Sequence, residues 1–149
     1  MGKGWYSNED QSLIDGASDV ARELHSPEVG PDHLLLSILK SAPPGLVKET
    51  ILACEIGYEL VKKRATRHSE DTPVPEHLPW NRPAQNVLEA AWDIAFQFGS
   101  EHCKIEHIFY ALLQSDRFAR NLLQRAGYVP EEIMSELERR CYGCVAVSV

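Results

Sequence analysis

The sequence has no long hydrophobic run and no excess of positive charge. None of its apolar stretches approaches the roughly twenty residues that a membrane-spanning helix needs, and its first residues lack the apolar segment of a signal peptide. Fifteen Lys and Arg stand against 22 Asp and Glu, so the formal net charge is −7, whereas nucleic-acid binding requires clustered positive charge. We therefore expect a cytoplasmic protein, with the plastid stroma as the alternative, and neither a membrane nor a nucleic-acid partner.

Signatures of catalysis are also missing. The sequence contains no Gly-x-x-x-x-Gly-Lys-Ser/Thr phosphate loop, and no Ser/His/Asp or Cys/His arrangement can be singled out. Cys141 and Cys144 have the C-x-x-C spacing of metal and redox sites, but no second such pair and no preceding strand accompany them. We interpret them as ordinary thiols, while a redox pair, or zinc bound with His102, Cys103 or His107, stays open. We predict no enzyme, no cofactor and no metal.

What the sequence does contain is an internal duplication. Gly30–Leu39 and Lys104–Leu113 each place an acid and a histidine before an apolar run. The preceding segments, 7–24 and 81–98, match in the same register. A tandem duplication of this size predicts two similar structural units. The histidine in each copy is interpreted as structural rather than catalytic.

Beyond the apolar runs the spacing of the two copies changes. Gly57-Tyr58 is echoed by Gly127-Tyr128, which comes earlier in the second copy than the register of the apolar runs requires. This echo predicts four extra residues in the first copy, around residues 41–45.

Apolar residues recur at three- and four-residue steps through most of the chain, which is the pattern of amphipathic helices, and no segment shows strand alternation. Gly16 weakens the first helix by about 1 kcal/mol relative to Ala, which predicts a close neighbour there. Pro and Gly divide the pattern into eight helices: from the N-cap Ser7 to 24, 31–42, 46–54, a shorter basic one to about 67, 81–98, 105–113, 118–126 and 130–140.

The fold class predicted from this pattern is all-α, with two tandem four-helix repeats packed around a pseudo-twofold axis. Each helix is apolar on one stripe only and must cover it against neighbours, so the repeats should form a single domain. We place repeat 1 at about residues 5–67, a linker at 68–79, repeat 2 at about 80–141 and a tail at 142–149.

Two parts of the chain resemble a known family. Residues 78–91 (LPWNRPAQNVLEAA), followed by Glu106-His107-Ile108, resemble the second repeat of the amino-terminal domain of Clp AAA+ unfoldases of the ClpA and ClpC type. Residues 30–36 (GPDHLLL) resemble the matching motif of the first repeat. The resemblance extends from about Trp5 to Arg140. It implies the same duplicated helical fold and a non-enzymatic domain that binds protein substrates, degrons or adaptors and passes them to an unfoldase ring.

Two functional hypotheses follow from the resemblance. Because the ATPase loop is missing, we expect that the chain is not the ATPase itself but either a free-standing homologue without ATPase modules or a fragment of a longer chain. The start at Met1 and the tail 141–149, which does not resemble the family, favour a free-standing homologue. It would recognise substrates or adaptors for an ATP-dependent Clp chaperone-protease, or serve as an accessory factor of it. Its partners would be protein substrates, adaptors or Clp ATPase and protease subunits. The alternative is a stand-alone interaction or regulatory domain that kept the Clp repeat fold but no longer works with Clp.

The resemblance also indicates candidate binding residues. Some family members recognise phosphorylated arginine at the two motif copies, through a Glu, a Thr and the helix amino terminus. By position the acids here are Asp32 and Glu106, while Pro31 and Ile105 occupy the Thr positions. Both hydroxyls are gone, Pro31 also removes an amide donor, and Lys104 supplies only a flexible charge, so we expect phosphoarginine binding to be weak or lost. Both acids also fit a structural role, since an acid in the first helical turn contributes about 0.3–1 kcal/mol.

Overall fold

The computed structural model describes residues 8–97, 99 and 102–147, and the side chains of 11–97, 99 and 102–140. Within these residues there is no β-strand beyond one isolated parallel bridge, between Val29 and Trp80. The predicted all-α class with eight helices is therefore confirmed. The helices are α1 (Asn8–Glu23), α2 (Pro31–Ser41), α3 (Leu46–Ala53), α4 (Tyr58–Arg64), α5 (Arg82–Gln97), α6 (Ile105–Ser115), α7 (Arg117–Arg125) and α8 (Pro130–Val147).

Helix α8 is longer than predicted. Helix α8 continues to Val147 instead of ending at Arg140, so the predicted tail from residue 142 is helical over most of its length. Gly and Val in this stretch have low helix propensity, but extending an existing helix requires only one residue to be ordered per hydrogen bond. The predicted N-cap Ser7 lies outside the described residues.

Helices α2 and α6 form the centre of the domain. All residues from His33 to Leu39 are buried, and so are most residues of α6. Helix α2 contacts α1, α4 and α7, and α6 contacts α5, α8 and α3. The two sets of contacts are equivalent, because α1, α4 and α7 around α2 correspond to α5, α8 and α3 around α6. Helices α2 and α6 also contact each other. The predicted pseudo-twofold packing is confirmed, and the axis passes between the two central helices.

The second half of each repeat corrects the alignment of the two copies. Helices α3 and α7 end at Ala53 and Arg125, and α4 and α8 begin at Tyr58 and Pro130. Both correspondences place Gly57 on Val129, two positions beyond Gly127. The predicted match of Gly57 with Gly127 was therefore wrong, and the first copy has two extra residues rather than four.

The corrected register also superimposes the buried faces of α3 and α7. It places Val47 on Ala119, Thr50 on Leu122, and Ile51 on Leu123, and all of these side chains are buried. The register given by the buried side chains of α3 and α7 therefore agrees with the register given by the residues at which the helices end.

The error has a conformational cause. After α3 the chain turns through Glu55 in the left-handed region (φ 54°), and after α7 it turns through Gly127 (φ 96°). Helices commonly end on such a residue, which is usually glycine. The first copy uses a glutamate there instead, so aligning Gly57 with Gly127 by residue type shifted the register.

Tyr128 joins these two turns. Its hydroxyl accepts a hydrogen bond from the Gly57 N–H (3.1 Å) and donates one to the Glu55 carbonyl (2.9 Å). In the corrected register Tyr128 corresponds to Ile56. Its hydroxyl therefore forms hydrogen bonds to the residues on either side of Ile56, which are Glu55 and Gly57. The two turns therefore meet across the pseudo-twofold axis.

Tyr58 is a contrasting tyrosine in the first repeat. The Nζ atoms of Lys40 and Lys62 lie 5.8 and 5.7 Å from its ring centroid. Its hydroxyl oxygen is buried and has no hydrogen-bond partner among the described residues.

Gly16 lies where α1 crosses α2. A Cβ atom at Gly16 would stand 2.8 Å from the Ser37 Oγ, which donates a 2.7 Å hydrogen bond to the Leu13 carbonyl. The close neighbour predicted for Gly16 is thus confirmed. At the equivalent positions of the second repeat stand Ala90 and Ala111.

The connection between the repeats, residues 65–81, lies along α1 and the α1–α2 loop. The Val29 N–H donates to the Pro79 carbonyl, and the Asn81 N–H donates to the Val29 carbonyl, which gives the isolated bridge. Further hydrogen bonds run from the His68 N–H to the Leu24 carbonyl and from the Arg22 guanidinium to the Pro75 and Glu76 carbonyls.

Replacing Gly16 by alanine should destabilise the chain by up to about 2 kcal/mol. Overpacking costs about 1–3 kcal/mol, and the better helix propensity of alanine returns about 1 kcal/mol. The double variant G16A/S37A reproduces the Ala90–Ala111 pair and should recover most of the lost free energy of unfolding. Urea denaturation followed by circular dichroism measures both. A double variant no more stable than G16A would contradict the proposed contact.

Tyr128→Phe should lower the free energy of unfolding by about 1–3 kcal/mol, since it removes two hydrogen bonds that each contribute about 0.5–1.5 kcal/mol. Tyr58→Phe is the matched control, because it removes a hydroxyl that has no partner among the described residues and should be neutral or slightly stabilising. The same urea titrations compare the two. Equal losses would show that the Tyr128 bridge contributes nothing specific.

Candidate functional site

The starts of α2 and α6 are built alike. The Gly30 N–H donates to the His33 Nδ1, and the Lys104 N–H donates to the His107 Nδ1, both at 2.9 Å. In each case the histidine is the third residue of the helix and its ring caps the backbone just before the helix, as the Glu of a capping box does. Because Nδ1 accepts, the ring is neutral and carries its proton on Nε2. The structural interpretation of both histidines is confirmed.

The five candidate contact residues differ in exposure. Pro31 is buried, and Ile105 is only 8% exposed and belongs to the hydrophobic core. Asp32 and Glu106 are half-buried, while Lys104 is exposed. The residues at the Thr positions of the family motif therefore pack inward, and the acids and the lysine present the surface of the two helix starts. Pro31 and Asp32 lie on α2, and the other three residues lie at the start of α6, so they form two sets.

The α2 start lies against the start of α5. A side chain at Gly30 would stand 2.7 Å from the Asp32 Oδ1 and 3.2 Å from the Asn81 Nδ2. The Asn81 Oδ1 accepts from the Ala84 N–H (3.0 Å), so Asn81 is the N-cap of α5. Asn81 also donates to the Glu28 carboxylate (3.3 Å).

The start of α7 carries a further acid, Asp116, whose carboxyl is influenced by the charge of Asp32 at the start of α2. Asp116 is 8% exposed, and its Oδ2 accepts from the Ala119 N–H (2.7 Å). Burial raises the pKa of the Asp116 carboxyl, the Asp32 charge raises it further, and the Ala119 N–H opposes both effects. Asp116 is not among the residues predicted from the sequence, although an Asp directly before a helical pattern is an N-cap signal.

A cleft of about 300 Å³ opens beside Asp116, between α5 and α7. A second one of about 490 Å³ continues along α7 and shares Phe118 with the first. Phe118 is 43% exposed. This surface was not predicted from the sequence, because the apolar periodicity of α7 indicates only which side of the helix is buried.

In the described part of the chain, no group of three or more His, Cys, Asp or Glu is arranged to hold a metal ion. Cys103 is buried, and burial raises the pKa of the half-buried Cys54 thiol. The side chains of Cys141 and Cys144 lie outside the described residues. None of the described helices is long and apolar enough to cross a membrane.

Comparison with known proteins assigns the family. The sequence profile described as "Clp repeat (R) N-terminal domain" matches residues 6–126 and 80–141. The chain belongs to this family. An uncharacterized protein of Mycobacterium tuberculosis is 30% identical over 104 residues. These cover 70% of this Clp repeat chain and 41% of the relative, so the chain spans less than half of that relative's length.

Other relatives are Clp chaperones. The chloroplastic chaperone protein ClpC3 of Oryza sativa subsp. japonica is 24% identical over 141 residues, which are 93% of this chain and 15% of ClpC3. Among solved structures, the N-terminal domain of the chaperone ClpD of Arabidopsis thaliana superimposes with a TM-score of 0.76 at 18% identity. That superposition covers 94% of this chain and 96% of the ClpD domain, which shows a shared fold.

His33 should make the stability of the domain depend on pH. Burial lowers the pKa of His33 below its ordinary value of 6.5, although the Asp32 charge opposes the shift. The unfolded chain therefore takes up the proton first, and the free energy of unfolding falls as the pH drops below about 6.5. His33→Gln keeps an acceptor at this position but cannot titrate. The stability advantage of the wild type over His33→Gln should shrink between pH 7.5 and 5.5 in urea titrations, and a constant difference would refute the neutral cap.

Proposed function

We propose that this chain is a non-enzymatic protein-binding domain of the cytoplasm. It recognises substrates or adaptors for an ATP-dependent Clp chaperone-protease, or acts as an accessory factor of that machine. The observation that carries the proposal is the Clp repeat fold along nearly the whole chain, in the arrangement of the ClpD N-terminal domain. Clp N-terminal domains are non-catalytic binding domains.

The polar side chains at the helix starts cap the backbone, which supports a binding function rather than a catalytic one. His33 and His107 are 4% and 7% exposed, and their Nδ1 atoms are occupied by backbone N–H groups. Asp116 and Asn81 cap α7 and α5. A general acid or base must reach its substrate, whereas these side chains are committed to the starts of their own helices.

Within this proposal the partner contacts are Asp32, Glu106 and Lys104. All three stand at the starts of the two central helices and keep part of their surface exposed. Pro31 and Ile105 contribute indirectly, because their buried side chains fix the position of the first helical turn. An acid at such a start can serve both the helix dipole and a positively charged group of a partner.

Affinity capture tests the proposal. The full chain, immobilised and incubated with cytosol from its source, should retain Clp ATPase or protease subunits that mass spectrometry identifies. The double variant Asp32→Asn/Glu106→Gln should retain at least fivefold less, while the exposed pair Asp19→Asn/Asp93→Asn, at matched positions on α1 and α5, should behave as wild type. Capture without any Clp subunit would favour a stand-alone interaction domain and contradict the proposal.

A further inference from the structure

The outward side of α7 combines an aromatic side chain with two positive charges. Arg117, Phe118, Asn121, Gln124 and Arg125 are all exposed, and we call them the α7 face. The two clefts described above lie along it and meet at Phe118. The Arg117 guanidinium carbon lies 5.3 Å from the centroid of the Phe118 ring.

The charge of this face is opposite to that of the protein. The chain carries a net charge of −7, yet α7 contains three arginines and no acid. Arg120 pairs with Glu131, whereas the ion pairs of the described residues include neither Arg117 nor Arg125. The nearby Asp116 carboxylate is buried and accepts a hydrogen bond from the start of its own helix, and the Arg117 charge is one of the influences that lower its pKa, so Asp116 offsets part of the charge of Arg117.

The duplication shows that the fold does not require such a face. In the corrected register, the α7 face corresponds to Gly45, Leu46, Glu49, Leu52 and Ala53 on α3. That surface has no cation, although the inward faces of α3 and α7 are equally buried. Two copies with the same packing differ on the outside, so packing does not explain the arginines and the phenylalanine of α7.

We propose that the α7 face binds an extended acidic peptide segment of a partner protein. Two carboxylates pair with Arg117 and Arg125, and an apolar side chain between them packs on Phe118. The two arginines are eight positions apart on a helix, or about 12 Å along its axis. An extended peptide covers that length in about four residues, so the recognised segment has acids four positions apart around an apolar residue. This inference rests on the proposed protein-binding function and names the surface and the partner chemistry.

Fluorescence anisotropy with a labelled Gly-Glu-Ser-Phe-Ser-Glu-Gly peptide tests it. The full chain should bind this peptide saturably at low ionic strength, and added salt should weaken the binding because the contacts are charged and exposed. Arg117→Gln/Arg125→Gln and Phe118→Ser should each weaken binding at least tenfold. Peptides with Lys for Glu, or with Ser for Phe, should lose binding to a similar extent.

The matched control lies on α3. Glu49→Gln/Leu52→Ala alters the equivalent surface of the other repeat and should leave the affinity unchanged within twofold, with unaltered circular dichroism for all variants. No saturable binding by the wild type, or an equal loss in the α3 control, overturns the inference. If Clp subunits are still captured while this peptide is not bound, the inference falls and the proposed function stands. If the peptide is bound through Arg117 and Arg125 while no Clp subunit is captured, the Clp assignment falls and the α7 face stands.

Discussion

The structure depends on the burial of two central helices on nearly every side. A buried helix cannot leave the N–H groups of its first turn to water, so they must be satisfied within the chain. In both α2 and α6 a neutral histidine at the third position accepts the N–H of the residue before the helix. Pro31 reduces the demand at α2 further, because it has no N–H. The histidine that opens each apolar run therefore helps to make the burial of the run possible.

The central helices and the inward faces of their neighbours stabilise the domain, whereas the outward faces are free to vary. The central pair and the inward faces of α3 and α7 supply the packing, and burying one large aliphatic side chain contributes about 1.5–3 kcal/mol. The outer faces are under no such requirement and have diverged, as Glu49 and Leu52 on α3 against Asn121 and Gln124 on α7 illustrate. We therefore propose that specific recognition in this domain belongs to the outer surface and to the half-buried acids at the two helix starts.

Much of this arrangement could be predicted from the sequence, because amphipathic periodicity and proline and glycine positions report directly on helices. The eight helices, the pseudo-twofold pairing and the close approach at Gly16 follow from such signals. The register of the second half did not, because a left-handed turn can be filled by Glu55 as well as by Gly127, and residue type then misleads. The length of α8 was missed because the helical pattern in the sequence stops near Arg140, whereas an existing helix can extend through residues of low helix propensity. The surface around Phe118 depends on which helix starts meet in space, and periodicity along one helix does not contain that.

The connection between the repeats has a consequence for assembly. Proteins built from two similar halves can exchange a half between molecules when the hinge between them opens. Here the hinge is fastened along α1 by the Arg22 guanidinium and by the backbone pairing of Val29 with residues 79 and 81. Opening the hinge would break these bonds, and their loss disfavours domain swapping.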